Sequence, residues 1–209
     1  NDLTVLGMVN AAATDVKAKD VAVNIEASDA ADNKYAGSVS LGKVTVGVGT
    51  ADQANSLTVS VANGASAQAD SLDIAAEDKD KNKAGEFALV AGKFNAGTLT
   101  NGGSVSIGDT GNGTASTVGT LTVSGTSVNK GTVTFSTAVG NTQNALVIAA
   151  DSTFSNEGNL GADSGTTGDI TVAGTLTNVL KAASGTDAGI TGKINANAVN
   201  VEEGGVVNA

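Results

Sequence analysis

Cysteine, proline, histidine, arginine and tryptophan are all missing from this chain of 209 residues. Without cysteine there are no disulfides, no thiolate nucleophile and no sulfur-ligated metal. Without histidine as well, the serine triad, the cysteine dyad and the imidazole metal site are excluded by inventory. The absence of arginine removes the guanidinium fork that clamps phosphates and carboxylates. The absence of proline means that no backbone N–H is missing from any ladder the strands form, so long uninterrupted stacking is open to the chain. With four Phe and one Tyr, the core has to be built from small and branched aliphatic groups. No apolar run is long enough to be read as a membrane-spanning helix, which needs roughly 20 residues.

Charge is one-sided: 21 acidic residues face 11 basic ones, all Lys, for a net charge of −10. Such a chain repels a phosphate backbone, and it has few aromatic platforms for stacking bases, so nucleic acid is excluded as a partner.

Leu, Ile, Val and Phe together make up a little over a fifth of the chain, above the level at which a charged chain stays unfolded. Val, Ile and Thr number 57 against 13 Leu and Met, which favours a pleated surface over a helix. The 28 Gly, with many Asn, Asp and Ser, provide frequent turns.

Short apolar blocks alternating with Thr, Ser, Asn or Asp recur at 3–6, 21–25, 39–48, 57–61, 72–74, 87–90, 105–107, 121–123, 133–135, 146–148, 170–172, 194–195 and 199–201. Each reads as a strand with one buried face. Residues 13–20 and 65–80 also admit a helical reading, the latter with Leu72, Ala75 and Ala76 on one side, although Leu72-Asp73-Ile74 alternates as a strand. Residues 77–86, which include Glu77-Asp78-Lys79-Asp80-Lys81-Asn82-Lys83, read as a charged surface loop. Blocks begin 15 residues apart at Leu57, Leu72 and Phe87, and about 25 apart at Leu121, Leu146 and Ile170. Stacked coils tolerate such loose spacing where turns face solvent.

A sharper signal occurs four times: Gly97-Thr98-Leu99-Thr100-Asn101-Gly102-Gly103, Thr126-Ser127-Val128-Asn129-Lys130-Gly131-Thr132, Thr153-Phe154-Ser155-Asn156-Glu157-Gly158-Asn159 and Gly174-Thr175-Leu176-Thr177-Asn178-Val179-Leu180. The Gly-x-Leu-x-Asn-x-Gly pattern over residues 96–180 resembles that of the right-handed parallel β-helices of autotransporter passengers and filamentous-haemagglutinin-type adhesins. The resemblance implies an all-β fold, a right-handed parallel β-solenoid, in which Asn stacks on Asn and their carboxamides form a ladder. At about 20 residues per coil and about 4.8 Å per rung, it implies on the order of ten coils and a rod roughly 50 Å long. Residues 1–60 match the pattern poorly, and residues 1–56 are set apart as an irregular or capping region within a single segment, 1–209. The competing architecture is an antiparallel β-sandwich, with Asn63-Gly64, Asn101-Gly102 and Asn112-Gly113 as hairpin turns.

Chemistry has few places to reside. Asp78, Asp80 and Asn82 have the opening spacing of a calcium loop, but Lys83 stands where a Gly is required and Leu89 where a bidentate Glu belongs. Gly108-Asp109-Thr110-Gly111-Asn112-Gly113-Thr114 resembles a glycine-aspartate calcium repeat without its tandem copies, and reads as a turn that contains the one N-glycosylation pattern, at Asn112. Gly47-Val48-Gly49-Thr50-Ala51-Asp52 fails the dinucleotide fingerprint at Asp52 and reads as a strand terminus. Paired carboxylates for glycoside cleavage cannot be assigned. No catalytic, cofactor-binding or metal-ligating residue is therefore named, and no cofactor is expected.

The sequence thus reads as a non-catalytic rod of the extracellular or cell-surface kind, serving adhesion or surface display. The alternative is a self-assembling subunit of a surface layer or filament. A carbohydrate-active enzyme is the third reading. Expected partners are neighbouring copies, a host receptor or a glycan. The N-terminal Asn1-Asp2-Leu3-Thr4-Val5 has no signal-peptide features and reads as a mature or excised start, and the end at Ala209 falls within the strand pattern, so more chain is expected.

Overall fold

A computed structural model describes residues 2–6, 8–11, 15–26, 36–108, 118–136, 144–161, 168–183 and 189–209. These residues are all-β, with no helix among them. The chain winds through three faces in turn and repeats the circuit coil by coil. The first coil is β1 (Asp2–Val5), β2 (Met8–Ala11) and β3 (Val16–Ala18). The second is β4 (Val21–Ile25) and β5 (Ser38–Val46), whose two halves lie on the second and third faces. The third is β6 (Ser56–Val61) and β7 (Ser66–Ile74), divided likewise. The fourth coil is one strand of 16 residues, β8 (Glu86–Asn101), that crosses all three faces. The fifth is β9 (Ser104–Ile107), β10 (Gly119–Val123) and β11 (Thr126–Asn129), and the sixth is β12 (Thr132–Phe135), β13 (Asn144–Ile148) and β14 (Thr153–Asn156). The seventh is β15 (Asn159–Leu160), β16 (Gly168–Val172) and β17 (Thr175–Asn178). An excursion, β18 (Leu180–Lys181) and β19 (Ile190–Thr191), precedes the last coil of β20 (Lys193–Ile194), β21 (Ala198–Val201) and β22 (Val206–Asn208).

Every ladder on the three faces is parallel. The first face stacks β1, β4, β6, β8, β9, β12, β15 and β20. The second stacks β2, β5, β7, β8, β10, β13, β16 and β21. The third stacks β3, β5, β7, β8, β11, β14, β17 and β22. The architecture is a parallel β-solenoid, eight rungs deep, and the antiparallel sandwich is ruled out by strand direction. Among the described residues the one antiparallel pair is β18 with β19. The strands β1 to β5, within the first 56 residues, supply rungs to these same ladders.

The dimensions differ from the expectation of about ten coils with about 20 residues in each. Successive stacked Asn residues lie 28, 27 and 22 positions apart, because connections of unequal length leave the corners. Eight rungs at about 4.8 Å give a stack roughly 35 Å high rather than roughly 50 Å.

The alternation read from the sequence explains the packing. In β6 and β10 every second side chain is buried. One column of the second face runs Val9, Val39, Ala67, Phe94, Leu121, Leu146, Ile170 and Val199, buried from Val39 to Ile170 and exposed at Val9 and Val199 in the end coils. The few aromatics sit deep: Phe87, Phe94 and Phe154 are among the largest fully buried side chains, and the Phe87 and Phe94 rings meet at 5.4 Å, tilted by 58°.

The two helical readings are corrected. Residues 13–20 contain β3, and 65–80 contain the whole of β7, where Ala67, Ala69, Leu72 and Ile74 are buried while Ser66, Gln68 and Asp70 face out. Each half of β7 alternates with a period of two, broken once at Asp70-Ser71 where the strand turns from the second face to the third, and this fits a strand with neighbours on both sides, which β5 and β8 provide. The hairpin reading fails in the same way. Asn101-Gly102 turns a corner between faces, and at Asn63-Gly64 only the Gly takes positive φ (85°), joining strands on different faces. Asn112-Gly113 lies outside the described residues.

Candidate functional site

Two constructions carry most of the polar chemistry of this solenoid. The first is the stack of Asn residues at the end of the third face. Asn101 Nδ2 donates to Asn129 Oδ1 at 2.7 Å, Asn129 Nδ2 to Asn156 Oδ1 at 2.8 Å and Asn156 Nδ2 to Asn178 Oδ1 at 2.8 Å. Each amide also donates to a backbone carbonyl just past the next corner of the stack: Asn101 to Thr132, Asn129 to Asn159 and Asn156 to Lys193. Asn101, Asn129 and Asn156 are wholly buried, yet no buried side-chain polar atom among the described residues is left without a partner. Below Asn101 the column continues as Ile74 and Val46. The ladder is structural: its amides are consumed by one another.

The Gly two positions after Asn101, Asn129 and Asn156 has its own reason. At Gly103, Gly131 and Gly158 an added Cβ would lie 2.2, 2.0 and 2.1 Å from the carbonyl oxygen of Gly85, Gly103 and Gly131 respectively, so each corner rests directly on the backbone below it. The Asn-x-Gly spacing read from the sequence is therefore a column of carboxamides beside a column of close backbone contacts.

The second construction is a notch where the first face turns into the second. Between β6 and β8 the register slips: Val59 faces Leu89 but Ser60 faces Ala91, so Val90 is an extra residue, a β-bulge. Two residues on, Gly92 takes φ +76°, and a Cβ there would lie 2.1 Å from the Val61 carbonyl oxygen. The bulge lets β8 pass from one face to the next without leaving the strand. The coil before it crosses the same corner in a short turn closed by Ala65 N–H donating to the Ala62 carbonyl at 3.0 Å. These two short corners leave a cavity of about 840 Å³ whose polar lining is Asn24, Glu26, Ser60, Asn63, Lys93 and Thr120. Its titratable groups are one carboxylate and one ammonium. The paired carboxylates of a glycosidase are not among these lining residues.

The charged loop is held by its own contacts. Asp78 Oδ1 accepts from the backbone N–H groups of Asp80 (2.9 Å) and Asn82 (3.0 Å), and Oδ2 accepts from Asn82 Nδ2 at 2.8 Å. The Asn82 side chain, helped by its backbone N–H, holds the Asp78 carboxyl below the usual carboxylate range. Both oxygens of the residue that would open a calcium loop are thus engaged by the turn itself. On the third face Lys43 Nζ pairs with Asp73 Oδ2 at 2.6 Å, and that hydrogen bond raises the lysine above its ordinary value. Of the glycine-aspartate stretch, Gly108 is described, with φ +97° against the Asn144 carboxamide, while 109–114, including Asn112, lie outside the described residues. Gly47 to Asp52 form the corner after β5. The notch was not legible in the sequence, because the bulge that makes it follows from a mismatch between two coils distant in the chain.

No protein-family model, no curated protein and no solved structure matches this chain.

Proposed function

We propose that the chain is a non-enzymatic structural rod of an extracellular or cell-surface protein, which holds its corner loops away from the axis for adhesion or display. The observation that carries this reading is the contrast between interior and corners. Through the middle coils the interior is a dry stack of aliphatic columns and self-satisfied Asn, while the long connections leave from the two borders of the first face. Parallel stacking supplies rigidity, and loops on a rigid scaffold are where binding residues are most readily carried. The Asn-x-Gly pattern of autotransporter passengers and filamentous-haemagglutinin-type adhesins supports the same reading.

The test is retention. Beads coated with the purified chain are expected to be held by a surface bearing host receptors or glycans, and to lose that retention when residues 77–83 are replaced by a short Gly-Ser turn. Beads that bind no surface, or turnover of any polysaccharide by the soluble chain, would contradict the reading.

A further inference from the structure

Among the described residues the dipeptide Asn-Gly occurs at 63–64 and at 101–102, and the fold holds the two in opposite ways. The dipeptide has a chemistry of its own. The backbone nitrogen of the Gly can attack the side-chain carbonyl carbon of the Asn, and with no Cβ on the Gly nothing crowds that approach. The reaction needs a free carboxamide, a free N–H and a backbone able to turn about the Asn Cα–C bond.

At Asn101 all three are withheld. The residue is 0 % exposed. Its Nδ2 donates to Asn129 Oδ1 and to the Thr132 carbonyl, and its Oδ1 accepts from the Gly103 N–H at 3.0 Å. The Gly102 N–H donates to the Ile74 carbonyl at 2.8 Å. Ala76 fills the space beside Gly102, where an added Cβ would lie 2.7 Å from its backbone nitrogen. Rotation here requires that the ladder open and the coils part.

At Asn63 the three requirements are met. Both residues of the dipeptide are exposed. Neither the Asn63 carboxamide nor the Gly64 N–H makes a hydrogen bond to another described residue. The turn is closed by one bond, from the Ala65 N–H to the Ala62 carbonyl at 3.0 Å, and Gly64 stands at φ +85°. Turning the Asn63 Cα–C bond to bring the Gly64 nitrogen to Cγ costs that one solvent-facing contact and leaves the ladders of β6 and β7 in place.

We infer that Asn63 is a site of spontaneous deamidation and isoaspartate formation in the folded chain, and that the Asn ladder shields Asn101 from the same reaction. In the first step the Gly64 nitrogen bonds to Asn63 Cγ, the Cγ–Nδ2 bond breaks, and the proton of the Gly64 N–H leaves with the amide nitrogen as ammonia. Water then opens the cyclic imide. Addition at Cγ gives Asp, and addition at the backbone carbonyl carbon of residue 63 gives isoaspartate, in which the main chain runs through Cβ and Cγ. The balance is one water taken up and one ammonia released, with no oxidant or reductant. Asn63 lines the notch, so the product sets a second carboxylate in a lining that already holds Glu26. The isoaspartyl form also adds a methylene to a corner that has only residues 62–65 between β6 and β7. The inference does not depend on adhesion or display: a chain that binds no surface can still undergo this change.

The test is incubation of the intact folded chain in mildly alkaline buffer, then digestion at low pH and tandem mass spectrometry with electron-transfer fragmentation, which separates Asp from isoaspartate at each position. The expected result is conversion of Asn63 to both products, while Asn101 converts at least about tenfold more slowly because its reaction waits on opening of the stack. In urea the two positions should convert at comparable rates, since the difference belongs to the fold. Asn63→Gln, which would have to close a larger ring, is expected to slow conversion at position 63 by at least about tenfold with an unchanged circular-dichroism spectrum. An Asn63 that stays intact in the folded chain while it converts in urea would overturn the inference. So would equal rates at Asn63 and Asn101 in the folded chain, the same difference persisting in urea, or undiminished conversion at position 63 of the variant.

Discussion

Asn129 donates its side-chain amide to Asn156 across 2.8 Å while both residues are completely removed from solvent. A carboxamide is costly to bury unless its polar atoms are engaged, and here they are engaged by the coils before and after. The pair therefore ties adjacent coils in one register, since a slip by one residue would leave donors and acceptors unmatched in an interior that holds few other polar groups.

Removing the middle of that ladder is expected to be far more damaging than removing its end. Asn129→Ala leaves Asn101 Nδ2 and Asn156 Oδ1 short of partners in the dry interior and should lower stability by about 2–4 kcal/mol. Asn178→Ala, at a half-buried position with one Asn neighbour, should cost about 1 kcal/mol. Urea unfolding of the two variants measures the difference, and equal losses would mean that the ladder carries no special weight.

The corner glycines separate two reasons for requiring Gly. At Gly131 a methyl group meets the Gly103 carbonyl oxygen at 2.0 Å, so Gly131→Ala must push two coils apart, and a loss of roughly 3 kcal/mol is expected. At Gly204 φ is +82° but nothing lies within 4 Å, so Gly204→Ala carries only backbone strain of about 1 kcal/mol. Thermal unfolding should rank them in that order, and the reverse ranking would contradict the close stacking of corners.

The aromatic contact offers a packing test. Phe87 is 1 % exposed and tilts against Phe94. Phe87→Ala is expected to cost about 3–5 kcal/mol through the cavity it leaves among short aliphatic neighbours that cannot close over it. A loss below about 1 kcal/mol in chemical denaturation would show that the interior is looser than these columns imply.

Asp78 and Lys43 give opposite pH signatures. The Asp78 carboxyl is held below its ordinary value by Asn82, so its stabilisation of the loop is present above the unfolded pKa and is lost as pH falls through the lower folded value. Lys43 is raised by Asp73, so that pair's contribution is complete below the unfolded lysine pKa and is lost as pH rises through the higher folded value. In an NMR titration the Asn82 amide should shift with a midpoint below 3.8 and cease to do so in Asp78→Ala. A midpoint at or above the ordinary value would remove the cap.

What the sequence disclosed follows from what can be seen without knowing the neighbours. The block 21–25 coincides with β4 because Val21, Val23 and Ile25 alternate with small or polar residues over one rung. The Asn-x-Gly corners were visible because the two constraints on them fall within three residues. By contrast β3 and the first half of β7 bury Ala18, Ala67 and Ala69, side chains too small to stand out as a hydrophobic period. The first rungs lack the Asn signal because Val46 and Ile74 occupy the same column. Coil length was misjudged because excursions such as 179–192 add residues without adding height. The bulge at Val90 and the notch beside it depend on which coil lies below, and no local pattern in 87–93 carries that information.

The parallel, in-register stack is tested most directly by nuclear Overhauser contacts in the uniformly labelled chain. The account predicts methyl contacts linking Leu121 to Leu146 and Leu146 to Ile170, with side-chain amide contacts from Asn129 to both Asn101 and Asn156. Strong Hα–Hα contacts between successive strands, the mark of antiparallel neighbours, with no Asn-to-Asn contact, would contradict it.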